Sequence, residues 1–357
     1  MRVVAAMSGG VDSSVVAALL VEQGHDVIGV HMKLHDAPTH PSTADPRMAK
    51  RCCGLDDALD ARQVADRMGI PFYVMDLREA FRKAVMDDFA DTYLRGGTPN
   101  PCIQCNGVLK FRVLLARAKA LGATHLATGH YARVSESGAL MAAADPAKDQ
   151  SYFLFPVTRE ALAATLFPLG GLTKPEVRDV ARRLGLVTAE KPESQEVCFI
   201  PDDDHTRFVR DHRPGAEGAG DIVHEDGRVL GTHDGFWRYT IGQRRGLGVA
   251  VGTPLYVLRI DADTHQVVVG PNSSLVHARL RALRPNWFRL PKTGEELTAR
   301  IRHRGDRLSC VVEQADQDSV VVRFPGGARA AARGQAVVLY DGDEVVGGAW
   351  IREAWDV

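Results

Sequence analysis

Long hydrophobic runs are missing from this sequence. The longest uninterrupted apolar stretch, Val15–Val21, has seven residues, against the roughly 18–20 that a membrane-spanning helix needs, so no membrane association is expected. The opening MRVVAAMSGGVDSS meets glycines too early for the apolar core of a secretory signal. Surplus charge is missing too. The 44 Lys and Arg stand against 45 Asp and Glu, a net charge of −1, which excludes a histone-like polycation. Six cysteines in 357 residues are too few for a disulfide framework and point to a reducing cytoplasm. Two nucleotide-binding signatures are also absent. No Gly-Lys pair occurs, so there is no Walker-type lysine for β and γ phosphates, and no Gly-x-Gly-x-x-Gly marks a dinucleotide site.

With 45% hydrophobic and 25% charged residues the chain reads as globular, and its length allows two or three domains. The first half alternates strand and helix signals. Apolar runs at Arg2–Met7, Asp26–Met32, Pro71–Met75 and His125–Thr128 predict strands, and the stretches Ser13–Glu22, Leu55–Met68, Glu79–Leu94 and Val108–Leu121 predict helices. That alternation implies a parallel sheet covered by helices. Thr173-Lys174-Pro175-Glu176 has the form of a capping box. Beyond about residue 210 the pattern becomes short β-branched runs, among them Pro254–Ile260, Leu297–Arg304, Ser319–Phe324 and Ala336–Tyr340, with turn signals at Pro325-Gly326-Gly327 and Asp341-Gly342-Asp343. The expected division is an α/β domain at 1–210, a small mainly-β linker domain at 211–276 and a C-terminal β-barrel at 277–357.

Ser8-Gly9-Gly10-Val11-Asp12-Ser13 lies between a predicted strand and a predicted helix. Two glycines let the backbone curl so that successive N–H groups face an anion at the positive helix terminus. Read alone, Gly-Gly is an ordinary turn; the strand, the helix and the flanking serines make it a phosphate loop. Without the Walker lysine, such a loop suits an enzyme that releases pyrophosphate on adenylylating an oxygen. Asp12 is placed to hold magnesium or to orient the loop.

The loop resembles that of the PP-loop ATP pyrophosphatases. Further stretches resemble one branch of them, the bacterial tRNA-specific 2-thiouridylases: 97–106 (GTPNPCIQCN), 127–131 (ATGHY), 148–154 (KDQSYFL), 197–200 (VCFI) and 240–248 (TIGQRRGLG). They run in order from the first strand to the region before the barrel. The resemblance implies an adenine nucleotide alpha hydrolase-like fold and a cytoplasmic enzyme. Its reaction would adenylylate the C2 oxygen of a wobble uridine and then replace that oxygen with sulfur, releasing AMP.

Cys102-x-x-Cys105 is expected in a loop just before a helix that starts near Asn106, where the helix terminus favours thiolate. Cys198 lies in the strand-like run Val197–Ile200 and by itself reads as a small buried hydrophobe. Cys52-Cys53 and Cys310 read as packing residues. The resemblance makes Cys198 the residue that carries sulfur as a persulfide and Cys105 its partner, able to close a disulfide with it. Many members have Asp where this chain has Cys102. Three thiols, Cys102, Cys105 and Cys198, could instead ligate a 4Fe–4S cluster, and the cysteine count leaves both routes open.

By the same resemblance, Ala6, Met7, Ser8, Gly9, Gly10, Val11, Asp12, Ser13, Met32 and Gly129 bind ATP, with Mg2+ as its companion. Asn100, Pro101 and Cys102 meet the target base, and His130, Lys148, Asp149, Gln150, Arg302, His303 and Gln335 contact tRNA. Alternation in Leu297–Arg304 puts Arg300, Arg302 and Arg304 on one face, a row able to follow phosphates. The partners implied are tRNA and a sulfur-donor protein, with the chain itself a monomer. Two competing readings are another adenylylating synthetase and a non-catalytic metal-binding RNA chaperone.

Overall fold

The computed structural model describes residues 1–36, 55–192, 197–249 and 251–356; Cys52 and Cys53 lie outside them. The chain divides into two compact units. The first comprises Met1–Val85, Cys102–Asp203 and Asp343–Val345. Its centre is a five-stranded sheet of β1 (Arg2–Ala6), β2 (Asp26–Lys33), β3 (Phe72–Asp76), β4 (His125–Ala127) and β7 (Thr165–Leu166), in the order β3-β2-β1-β4-β7. All neighbours are parallel. A short hairpin, β5 (Arg133–Val134) with β6 (Leu140–Met141), also belongs to this unit.

The central strands read as continuous apolar runs because both faces are covered; Val3, Val4 and Ala5 are fully buried. The helix Val11–Glu22 is apolar on every side, with Val15, Val16, Ala17 and Leu20 in the same core as β1. The capping box forms: Glu176 accepts the Thr173 N–H at 2.7 Å and opens the helix Lys174–Arg183. Strand order reverses at β1, with β2 on one side and β4 on the other. Ligands of such sheets bind at the carboxyl ends of the strands beside that reversal. Two loops meet this description, Ser8–Gly10 after β1 and Thr128–His130 after β4.

The second unit comprises Met86–Pro101, Asp204–Gly342 and Val346–Val357. A four-stranded sheet, order β10-β11-β8-β9, is built from β8 (Gly220–His224), β9 (Val229–His233), β10 (Tyr256–Asp261) and β11 (Gln266–Gly270). Six strands then form the barrel: β12 (Val276–Trp287), β13 (Glu296–Arg300), β14 (Leu308–Ala315), β15 (Ser319–Arg329), β16 (Ala336–Asp341) and β17 (Glu344–Trp355). It closes through the pairing of β12 with β17. Leu280, Val312, Val322 and Leu339 fill its interior.

Four local expectations are corrected. Pro325-Gly326-Gly327 is no turn but lies within β15, where the register against β12 shifts between His277 and Arg279 and Gly327 takes φ +76°. The irregularity is a bulge, a role that positive-φ glycine fills as readily as a turn. β13 stops at Arg300, so Arg302 and Arg304 do not continue a row on its face. Val197–Ile200 is a turn rather than a strand. The helix expected from Asn106 begins at Pro101, since proline at a first helical position costs no hydrogen bond. Cys102 therefore stands in its first turn, and Cys105 opens a π-helical stretch, Cys105–Leu114.

Candidate active site

The loop after β1 is held by its own hydroxyls. The Ser8 N–H donates to Ser13 Oγ at 3.1 Å, and the Ser13 and Ser14 hydroxyls donate to the Gly10 carbonyl at 3.1 and 2.9 Å. Gly9 takes φ +79°, and a Cβ there would stand 2.2 Å from the Asp57 carbonyl oxygen. Lys191 ties the same place together: its Nζ donates to the Gly9 carbonyl at 3.0 Å and to carboxylate oxygens of Asp57 and Asp60 at 2.6 and 2.5 Å. Met7 is buried, and its carbonyl meets the Nδ1 of His31 at 2.9 Å. Burial pushes the His31 pKa down. Ala6 ends β1, and Met32 lies on β2, paired in register with Met75.

Asp12, in the first turn of Val11–Glu22, accepts the Tyr131 hydroxyl at 2.8 Å and the Lys174 ammonium at 2.7 and 2.8 Å on its two oxygens. The Lys174 side chain is only 10% exposed. Asp12 thus has the donor chemistry a magnesium ion takes, with a lysine now on both oxygens. Lys174, Tyr131 and Lys191 escaped the sequence reading. Lys174 was legible only as part of a capping box, and its reach of 162 residues back to Asp12 is a tertiary fact.

The turn after β4 connects this loop to the cysteines. Gly129 lies against the helix start, since a Cβ there would sit 3.2 Å from both Asp12 Cβ and the Ser13 nitrogen. Next to it, His130 is buried; its Nδ1 is 2.8 Å from the Thr128 hydroxyl and its Nε2 3.3 Å from Lys110 Nζ. Burial, then the Lys110 charge, pushes the His130 pKa well below its usual value, leaving a neutral ring that can accept from Lys110. Lys110 lies five residues after Cys105 on the π-helical stretch. The wide turn places residues five apart one above the other.

Cys102 remains accessible to solvent and Cys105 is half-buried, both in a recess crowded enough that desolvation raises their thiol pKa while the Lys110 charge lowers it. Cys198 is half-buried, beside Phe199, whose ring meets that of Phe81 edge-on at 5.6 Å. Cys310 is buried in the barrel, its thiol pushed up to about 12 by burial, as a packing residue should be. Among the described residues no three His, Cys, Asp or Glu side chains gather to hold a metal. Cys102, Cys105 and Cys198 therefore do not form a cluster-ligand set here.

The 148–150 segment is used internally. Asp149 is 3% exposed and accepts the backbone N–H groups of Ala143 and Ser151 at 3.1 Å each. Gln150 Oε1 accepts the Tyr131 N–H at 3.0 Å, and Lys148 is half-buried. Asp149 and His130 are thus both buried, with their side chains hydrogen-bonded inside the unit.

In the second unit, two residues 235 apart in sequence meet. Gln335 Nε2 donates to the Thr98 and Pro99 carbonyls at 3.2 and 2.9 Å, and Asn100 Nδ2 reaches Gln335 Oε1 at 3.4 Å. Pro101 follows at the helix start. Beyond β13, Arg302 is exposed and His303 half-buried, while Arg300 and Arg307 lie over the Tyr340 ring at 5.8 and 4.2 Å.

Comparison with known proteins gives this arrangement its relatives. Residues 1–202 match a domain described as tRNA methyl transferase HUP domain, 206–271 a tRNA methyl transferase PRC-barrel domain, and 277–351 an aminomethyltransferase beta-barrel domain. A protein of Geobacter metallireducens named tRNA-specific 2-thiouridylase MnmA is 51% identical, the match covering 99% of this chain and 97% of that one. Proteins of the same name from Geotalea uraniireducens and Caulobacter vibrioides are 50% and 49% identical, over 99% and 98% of this chain and 95% and 94% of theirs. Among the described residues no helix is long and apolar enough to cross a membrane. With three domain matches in order and half its residues shared with these proteins along nearly their whole length, the chain belongs to the tRNA-specific 2-thiouridylase family.

Proposed function

We propose that the chain is an ATP-dependent tRNA-uridine 2-sulfurtransferase working in the cytoplasm on the wobble uridine. The observation that carries this reading is a continuous line of contacts in the first unit. Asp12 of the phosphate loop touches Gly129, His130 meets Lys110, and the Lys110 charge acts on Cys102 and Cys105. Adenylylation and thiol chemistry are thus tied to one turn.

In the first step the uridine C2 oxygen attacks the α-phosphorus of ATP, and pyrophosphate leaves. Ser8 to Ser13, with Ala6, Met7, Met32 and Gly129, hold the nucleotide, and Mg2+ supplies charge on the phosphates. Lys174 is the cation nearest the loop's carboxylate and takes the place in charge that a Walker lysine would fill. In the second step the outer sulfur of a Cys198 persulfide attacks C2, and AMP leaves with the oxygen. The Cys105 thiolate then attacks Cys198 Sγ and breaks the S–S bond. The products are 2-thiouridine and a Cys105–Cys198 disulfide, which a cellular dithiol must reduce. A sulfur-donor protein reloads Cys198. No step here is routed through an iron–sulfur cluster.

For the RNA, Asn100, Pro101, Gln335, Arg302 and His303 of the second unit and Lys148 of the first are the proposed contacts. The base is turned out of its stack, since its C2 edge is otherwise covered. We place the functional divisions at 1–210, 211–276 and 277–357, with the last carrying tRNA contacts, and take the enzyme as a monomer. The test is anaerobic. Purified protein, unmodified tRNA, ATP, magnesium and polysulfide, whose sulfane sulfur the Cys198 thiolate can take up as a persulfide, are incubated with and without iron, followed by mass spectrometry of nucleosides and assay of pyrophosphate. Thiolation without iron supports the persulfide route; thiolation only after iron reconstitution overturns it; tRNA-independent pyrophosphate release with no 2-thiouridine overturns the substrate assignment.

A further inference from the structure

Several arginines of the second unit are held by carboxylates: Arg213 by Asp87 and Asp91, Arg279 by Glu313, Arg289 by Glu295 and Asp341. Others are not, and three of these are carried by adjoining backbone segments. Arg95, Arg333 and Arg352 are all exposed, and among the described residues none of them forms an ion pair. They are far apart in sequence yet sewn together by backbone hydrogen bonds. The Thr98 N–H donates to the Arg333 carbonyl at 2.7 Å, Gly334 N–H to Ile351 at 3.1 Å, and Ile351 N–H to Gln335 at 2.8 Å. Arg95 closes the helix Asp87–Leu94 just before the Gly96–Gly97 turn, where the Thr92 carbonyl takes the Gly97 N–H at 2.9 Å. A Cβ on Gly97 would stand 3.1 Å from the Arg333 carbonyl oxygen and one on Gly334 2.8 Å from that of Thr98, so the two segments touch backbone to backbone.

Burial first, and then the charges of Arg352 and Arg95, push the Arg333 pKa down, with Asp263 the opposing carboxylate. Like charges carried on adjoining segments weaken a fold unless an anion uses them. They also border the segment whose Asn100 is joined to Gln335. We propose that Arg95, Arg333 and Arg352 form a binding site for the phosphodiester backbone of RNA, beside the nucleotide met by Asn100 and Gln335. The site rests on the function proposed above. Exposed guanidinium forks match phosphate oxygens in geometry, and the neighbouring amides supply donors and acceptors for a base or ribose.

The test is the salt dependence of tRNA binding by the full chain, read by fluorescence anisotropy between 50 and 200 mM KCl (roughly, the usual working range). Variants are R95Q, R333Q, R352Q, the triple variant, each Arg→Lys replacement, and R183Q as a control, since Arg183 is ion-paired with Glu22 in the other unit. Each phosphate contact removed lowers the slope of log K against log salt by about 0.7–0.9, so across that salt range the triple variant loses about 20- to 40-fold less affinity than wild type. Lys replacements retain the slope, R183Q matches wild type, and R333Q melts at a higher temperature because crowding is relieved. A triple variant that binds tRNA with the wild-type slope overturns the site, including the case in which an acidic protein is its partner. If wild type thiolates tRNA while the triple slope is unchanged, only the site fails. If wild type neither binds nor thiolates tRNA, the functional reading fails with it.

Discussion

The glycine pair at 9 and 10 offers a sharp test, because the two positions look alike in sequence and differ in structure. Gly9 sits at φ +79°, and an added Cβ would lie 2.2 Å from the Asp57 carbonyl oxygen and 2.8 Å from its carbon and Cα, all backbone atoms. Gly9→Ala therefore carries a left-handed conformation worth about 1–2 kcal/mol against alanine, plus about 1–3 kcal/mol for forcing the loop from the first turn of Leu55–Met68. The sum, about 2–5 kcal/mol, is a large part of the roughly 5–15 kcal/mol that stabilises a domain. At about 2–4 °C per kcal/mol, Tm should fall by about 4–20 °C. Moving that backbone also shifts the Gly9 carbonyl from Lys191, so ATP binding should weaken.

Gly10 is different. It is the N-cap at φ −95°, and the atom nearest a Cβ is Ser8 Oγ at an ordinary 3.6 Å. Gly10→Ala gains about 0.4–1 kcal/mol from a stiffer unfolded chain and loses about as much because alanine is a poorer cap. Its Tm should stay within about 4 °C of wild type. Differential scanning calorimetry with and without ATP measures both. A Gly9→Ala protein with wild-type Tm and affinity, or a Gly10→Ala protein that falls as far, would refute the reasoning.

Cys198→Ala and Cys105→Ala should each abolish 2-thiouridine while tRNA-dependent pyrophosphate release continues, and full thiolation by either variant rules out the two-thiol route. Asp12→Ala frees the Lys174 ammonium from its partner at 2.7 Å and should stop pyrophosphate release; calorimetric titration shows whether ATP binding goes with it. Gln335→Ala removes the donor to the Thr98 and Pro99 carbonyls and should raise KM for tRNA with little change in KM for ATP, an outcome steady-state kinetics decides. His130 has its pKa depressed in the folded state by burial and Lys110. Its contribution to stability is thus complete above the unfolded value of about 6.5 and is lost as pH falls below it. Tm should decline from pH 7 to 5, and His130→Gln should flatten that decline; a slope identical to wild type contradicts the assignment.

Much of this arrangement could be read from residues near one another in the chain. The strand, the Ser8–Ser13 loop and the helix after it obey local rules, and so does the Thr173–Glu176 cap, which formed as expected. Errors arose where one residue type serves two geometries. Pro325-Gly326-Gly327 satisfies a turn and a bulge equally, and only pairing with β12 selects the bulge. The alternation of Arg300, Arg302 and Arg304 fits a strand, but β14 begins at Leu308, opposite Ala299, and β13 stops one residue later at Arg300. Proline at 101 reads as a stiff loop and as a helix start, and the helix wins because the apolar face of Ile103, Leu109 and Leu114 is buried.

The sequence by itself determined the alternating α/β half, the β-rich half, the phosphate loop and the cysteines, because these follow from periodicity, turn chemistry and spacing along the chain. Tertiary structure alone decided what surrounds them: Lys174 and Tyr131 on Asp12, Lys191 on Gly9, Lys110 against His130, Gln335 on the 98–100 segment, and the adjoining segments that carry Arg95, Arg333 and Arg352. These side chains are short-range partners drawn from positions about 20 to more than 200 residues apart. A charge or hydrogen bond acts over a few ångströms of space, and chain separation carries no information about which residues the fold will bring within that reach.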